Sequence, residues 1–476
     1  MSETVDVKAA RATYRGLREA GVLRFHGIRY AEPPLGALRF LPPVPLAETG
    51  TVDATRPGLS PAQVRRMPPA WAARQSQFET GEDCLNLNLF TPGADDKSRP
   101  VIVHVFGGGF QTGSAMGTYH DEAGFVAKGD VVLVRPNFRV GALGFLHLGP
   151  VMGEPYAAAN RGLLDLVAAL KWIKANIAAF GGDPDNITLF GMSSGAFTIA
   201  ALFGTDGNED LFRRAWLMSG SASRIVDPDT AAAMGHEFVE RAGIAPGDVA
   251  ALQKLPVATV LEIQEQIVAT DLGIRNSPGG HTLGVVADGV SLLRHPLEGL
   301  ESGRWRYHDV LASWTRDEAR MWYAFGTMPA PANRDRVLET VARFHGTNAE
   351  VVLSQLERDN PEWGLADLEE NFLSRTIYRD TALRTARTHA EAGGRAYAYE
   401  FRWVPPFEGG RLGAAHASDE SFVFGVTDPA RVRLLEGSDS AAPLAASMSQ
   451  ALYDFARSGD PGWPQFQPGE YRQVFG

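Results

Sequence analysis

Along the chain, short uninterrupted apolar runs alternate with longer amphipathic stretches, the pattern of an α/β fold built on a mostly parallel sheet. VIVHVF (Val101 to Phe106) and VVLVRPNF (Val131 to Phe138) predict buried strands. RGLLDLVAALKWIKANIAAF (Arg161 to Phe180) places Leu163, Leu166, Leu170, Ile173 and Ile177 on one face, which predicts a helix closed by Gly181-Gly182. ITLFG then predicts a strand, SSGAFTIAALF a helix and RAWLMSG another strand. HDVLASW (His308 to Trp314) and AYAYEFRW (Ala396 to Trp403) predict two further core strands.

From about Thr230 to Gly303, and again from about Arg334 to Gly394, the pattern turns helical. Helical insertions between strands of one sheet predict walls around a site at the strand ends, where ligands of open α/β sheets bind. No repeat, low-complexity tract or linker interrupts the 476 residues, so one integrated domain over 1–476 is expected.

Composition narrows the function classes. The chain is 44% hydrophobic and 21% charged, with 51 Gly and 30 Pro, which suits a globular protein with many loops. A net charge of -11 without a Lys/Arg cluster argues against nucleic acid as a partner. The one cysteine, Cys84, leaves no intrachain disulfide to form. The opening MSETVDVKAARATYRG lacks the apolar core of a secretory signal, and no stretch approaches the ~18 apolar residues of a membrane span. A cytoplasmic protein with no membrane partner is expected, its oligomeric state, monomer or dimer, left open.

The segment LFGMSSGAFT (Leu189 to Thr198) contains G-x-S-x-G between a predicted strand and a predicted helix. That context matters because flanking glycines let the strand turn sharply and hold the serine hydroxyl exposed. Ser193 is therefore a candidate nucleophile, against the plain alternative of a Gly/Ser turn. A serine attacking a carbonyl also needs backbone N–H groups for the oxygen that becomes negative. FGGGF (Phe106 to Phe110) follows the strand VIVHV and offers Gly108 and Gly109, with the N–H of Ser194 as a third donor. Neither Gly-Lys-Ser/Thr nor G-x-G-x-x-G is present to make this loop a phosphate cradle.

These segments, with EDCLNLNLF (Glu82 to Phe90), NFRVGALGFL (Asn137 to Leu146), FHGIRYAEPPLGALRF (Phe25 to Phe40), the run from Asn160 to Phe197 and GAAHASDESFVFG, resemble the type B carboxylesterase family. This is the cholinesterase-like branch of the α/β-hydrolases, and the likeness, to its bacterial para-nitrobenzyl-esterase-like members, runs from about Arg24 to Asp460. The resemblance implies an α/β-hydrolase fold: a central, mostly parallel, twisted sheet, helices on both faces, and helical insertions forming the site walls. It implies a serine carboxylesterase acting on small-molecule esters through an acyl-enzyme, with no metal or organic cofactor. His416 stands where the family carries its catalytic histidine, and Glu318, in TRDEARMWYAF, matches its triad acid, with the adjacent Asp317 as runner-up.

The chain also departs from the family. Met192 replaces the usual acidic residue before the nucleophile, Phe106 precedes the three glycines, and the disulfide partner of Cys84 is missing. Phe106, Phe110 and Met192 are candidate substrate-binding residues near the strand ends, with Phe138 as further apolar surface. Gly280 and His281 stand where the family builds its acyl-pocket wall, which implies a roomy acyl side. Sequence leaves open a carbamate, lactone or amide as the bond cleaved on the same machinery. A non-catalytic binding protein of this fold is the remaining alternative.

Overall fold

The computed structural model describes residues 3–47, 49–64, 78–116, 121–271, 282–324, 328–435, 438, 441–467 and 469–476. Its centre is a 12-stranded sheet. The strands are β1 (Glu3–Lys8), β2 (Ala12–Glu19), β3 (Val22–Arg29), β4 (Gly50–Asp53), β5 (Asn86–Thr91), β6 (Arg99–Val105), β7 (Val132–Pro136), β8 (Gly182–Met192), β9 (Arg214–Met218), β10 (Asp309–Thr315), β11 (Arg395–Phe401) and β12 (Gln473–Phe475). They lie in the order β1-β2-β3-β5-β7-β6-β8-β9-β10-β11-β12, with β4 beside β2. From β7 to β12 every neighbouring pair is parallel, whereas β1, β2, β3, β5 and β7 pair antiparallel.

The apolar runs read from sequence are the central strands because those strands are covered on both faces. Leu189 enters one core cluster while its neighbour Phe190, with Met192, enters the other. The N-terminal strands carry a mixed pattern instead, with most of β1 exposed or half-buried, so no apolar run marks them.

The crossover order makes the crevice. From β6 the chain forms β7 on one side, then returns as β8 on the other. Such a reversal opens a gap beyond the C-terminal ends of the two strands. Val105 of β6 stands opposite Gly191 of β8, so the segments that follow them emerge side by side.

The helix connecting β7 to β8 covers Arg161–Asn176, and Leu163, Leu166, Leu170 and Ile173 on its inner face are fully buried. The predicted end at Phe180 is a tighter 3-10 turn, Ile177–Phe180, stopped by Gly181 at φ 77°. Here glycine is needed, because a left-handed cap strains any residue with a Cβ. Both helical insertions are present, spanning Pro228–Arg241 to Pro296–Glu301 and Arg334–His345 to Asp380–Glu391. The loop after β7 is tied to the Arg161–Asn176 helix by a buried ion pair: Arg139 Nε and Nη2 donate to the two Asp165 oxygens at 2.8 and 2.7 Å. Among the described residues no helix is long and apolar enough to cross a membrane.

Candidate active site

Ser193 caps the helix Ser194–Ala201 with φ 55° and ψ -125°, a strained conformation for a residue with a side chain. Its N–H donates to Met218 O at 2.8 Å, which fastens the turn to β9. The glycines on either side are required by close approach. A Cβ on Gly195 would lie 2.1 Å from Val105 O, and one on Gly191 would lie 2.7 Å from Ile199 Cδ1.

The glycine loop after β6 meets this elbow. A Cβ on Gly107 would lie 3.1 Å from Ser193 Cβ. Gly108 has φ 133° and Gly109 φ 63°, values that side chains disfavour. Gly108 O accepts from Gln111 N at 3.1 Å and Thr112 N at 3.0 Å, which fixes the turn by its carbonyl. Among the described residues the N–H groups of Gly108, Gly109 and Ser194 have no hydrogen-bonded acceptor. Ser194, as the first helical residue, has none to expect within its helix. The glycine loop thus runs alongside the elbow that carries Ser193.

The acid and the imidazole come from the next strands. Glu318 lies three residues beyond β10, fully buried, and Oε1 accepts from Thr315 N at 2.9 Å. Its other oxygen, Oε2, is 2.5 Å from Nδ1 of His416, which arrives on the loop after β11. Asp317 points elsewhere. Its Oδ2 accepts from Ala414 N at 2.9 Å and its own N–H donates to Ala414 O, so it clamps the loop that carries His416. Among the described residues no hydrogen bond joins Ser193 Oγ to His416, although the two side chains are brought to the same strand ends. Nδ1 is thus the ring nitrogen turned to Glu318, and a proton held there would make Nε2 an acceptor.

The expected wall residues fall into two groups. Phe106 stacks on Phe138 with ring centroids 4.3 Å apart and Phe110 packs edge-on to Phe145 at 5.0 Å, all four buried. These rings serve the core first. Met192 is buried as well, and its methyl lies 2.9 Å from where a Gly107 Cβ would be, so the elbow is flanked by a thioether rather than a carboxylate. Gly280 and His281 lie outside the described residues.

Other residues at the site escaped the sequence reading. Tyr378 lies with its ring 4.9 Å from that of His416. Ser219, immediately after β9, has φ 46° and donates from its N–H to Ser313 O, so a second strained serine stands beside the elbow. Asp419 is fully buried, accepts from Tyr399 Oη at 2.7 Å, and is pushed by burial up to about 7. His104 and Glu420 form a buried pair at 3.1 Å, burial holding the imidazole below its ordinary pKa. Acids in HASDESF were the available signal, but periodicity does not tell which way a loop carboxylate turns.

The carboxylesterase family model matches residues 3–474. The para-nitrobenzyl esterase of Bacillus subtilis (strain 168) is 32% identical over 471 residues, 95% of this chain and 90% of the relative. The phenmedipham hydrolase of Pseudarthrobacter oxydans is 32% identical over 475 residues, 95% of this chain and 91% of the relative. Among solved structures, the carboxylesterase EST55 of Geobacillus stearothermophilus superposes with a TM-score of 0.86 at 34% identity, covering 99% of this chain and 96% of that one.

Proposed function

The chain belongs to the carboxylesterase family and is a serine carboxylesterase, and from that premise we propose that Ser193 is its nucleophile, His416 its general base and acid, and Glu318 the carboxylate that orients and stabilises the imidazole. His416 takes the proton of Ser193 Oγ as the oxygen attacks the ester carbon. The carbonyl oxygen, now negative, is received by the N–H groups of Gly108, Gly109 and Ser194. Collapse expels the alcohol, which takes the proton from His416, and a water activated by the same imidazole releases the acid and frees Ser193.

The observation that carries this reading is the convergence, at one crevice, of a strained serine at φ 55°, a loop of unoccupied N–H donors and an imidazole 2.5 Å from a buried carboxylate. The 12-stranded sheet that joins these elements supports a single domain. The lone buried Cys84, whose thiol burial makes harder to ionise, fits a cytoplasmic setting.

The test is covalent labelling. A fluorophosphonate probe is expected to mark the wild-type chain on the peptide containing Ser193 and to leave Ser193→Ala unlabelled, with ester turnover lost in the same variant. Labelling of another peptide, or persistent turnover in Ser193→Ala, overturns the assignment.

A further inference from the structure

The second helical insertion passes the catalytic pair on an unusually wide turn. Between the helices Leu365–Leu373 and Asp380–Glu391 the chain winds as a π-helix over Ser374–Arg379, a rare form that recurs at functional sites. Two side chains of this one turn reach the acid and the imidazole. Ser374 Oγ accepts from Ala319 N at 2.9 Å, and Ala319 directly follows Glu318. Tyr378 packs its ring 4.9 Å from that of His416, inclined at 44°. Both residues are buried. The Tyr378 ring also meets Trp322 at 6.2 Å and Phe197, on the helix after Ser193, at 6.4 Å, so it is wedged between the elements that carry the triad. Its hydroxyl is buried with no hydrogen-bond partner among the described residues, and burial raises the phenol above its ordinary pKa, which keeps it neutral. What Tyr378 offers His416 is therefore its ring.

We propose that this turn is a positioning element for the reaction: Ser374 holds the backbone that carries Glu318, and Tyr378 holds the His416 imidazole in its plane. The inference rests on the triad reading above. An imidazole that serves first as base and then as acid must keep Nδ1 on its carboxylate while Nε2 faces the serine oxygen and afterwards the leaving oxygen. A hydrogen bond at one ring nitrogen fixes a point and not a plane. Packing on the ring supplies the rest. The two halves of the device are joined, because His416 N donates to Glu318 O at 3.3 Å and a shift of either segment reaches the other. Misplacement by about 1 Å at such a centre costs about 100-fold in rate. Neither Ser374 nor Tyr378 makes or breaks a bond.

The test is kcat/KM on two butyrate esters, ethyl and para-nitrophenyl, per mole of enzyme titrated to completion with the fluorophosphonate probe. Ethoxide leaves only with a proton from His416, whereas para-nitrophenoxide leaves without one, so a misplaced imidazole penalises the ethyl ester more. A mere loss of folded chain lowers both alike. Tyr378→Leu is expected to lower kcat/KM for the ethyl ester by about 10- to 100-fold and for the nitrophenyl ester by less, with Tyr378→Phe regaining most of the loss. Ser374→Ala removes a single buried oxygen, is expected to bias the two esters in the same direction, and carries the test if Tyr378→Leu fails to fold. An equal loss on both esters, wild-type rates in Tyr378→Leu or Ser374→Ala, or a Tyr378→Phe as slow as Tyr378→Leu overturns the inference. Ester turnover that survives in His416→Ala refutes the triad reading instead, so the two failures are separate.

Discussion

Asp317 and Glu318 are adjacent in the chain and turn to opposite tasks: Glu318 Oε2 meets Nδ1 of His416 at 2.5 Å, while Asp317 Oδ2 holds the backbone of Ala414 at 2.9 Å. One carboxylate reaches the imidazole; the other secures the loop on which the imidazole rides. Glu318→Gln is therefore expected to keep the fold and lower kcat by orders of magnitude, up to the ~10⁴-fold seen when a triad acid becomes an amide. Asp317→Asn keeps a carbonyl for Ala414 N and is expected to stay within about tenfold of wild type, a loss of roughly 1.4 kcal/mol at most. Steady-state kinetics on one neutral ester ranks the two, and the reverse order would move the acid role to Asp317.

Gly195→Ala tests the elbow by volume alone. The new Cβ would sit 2.1 Å from Val105 O and 2.6 Å from Phe106 O, both backbone atoms that cannot swing aside. Overpacking of this kind costs about 1–3 kcal/mol. Denaturant titration should show that loss, and phosphonate labelling of Ser193 should slow because the helix is pushed off β6. Wild-type stability together with wild-type labelling would show that the packing at the elbow is looser than the distances imply.

Asp419 sets a stability dependence on pH. Its carboxyl holds a proton up to about 7 when folded, against an ordinary value near 3.8, because burial disfavours the ion. Between those values the unfolded chain gives up the proton while the folded chain keeps it, so folding stability falls as pH rises through this window. Above it the penalty is roughly 4 kcal/mol. Asp419→Asn removes the ionisable group and leaves an oxygen for Tyr399 Oη. The melting temperature of Asp419→Asn minus that of wild type should therefore grow from about pH 4 to about pH 8, the span of those two pKa values. A difference independent of pH would mean that Asp419 ionises normally in the fold.

The pair Arg139–Asp165 is buried on both sides, so its halves are worth more together than either alone. Asp165→Asn strands a guanidinium beside Arg161, another buried cation, whose pKa burial lowers to about 9. Breaking such a pair costs about 3–5 kcal/mol. Chemical denaturation reads this directly, and a loss below about 1 kcal/mol, the range of exposed pairs, would show that water already reaches Arg139.

How much was legible without coordinates differs by element. β6, β8, β9, β10 and β11 announce themselves because both of their faces are covered, and Ser193 and the Gly107–Gly109 loop follow two of them at positions that strand ends dictate. Local sequence fixes local geometry there: only glycine accepts φ 133° at Gly108, and only glycine fits against Val105 O at Gly195. The meander of β1 to β3 was not legible, since half-exposed strands carry no continuous apolar signal.

Long-range contacts were decided by the tertiary structure. Nothing between residues 318 and 416 in the sequence says that these two side chains meet at 2.5 Å, or that Asp317 turns from the imidazole to a backbone N–H. Periodicity reports which face of an element is buried, because burial of that face is a local property of the pattern. Which loop side chain points into the crevice depends on the crossover order of β6, β7 and β8 and on contacts across nearly a hundred residues, and that information belongs to the fold as a whole.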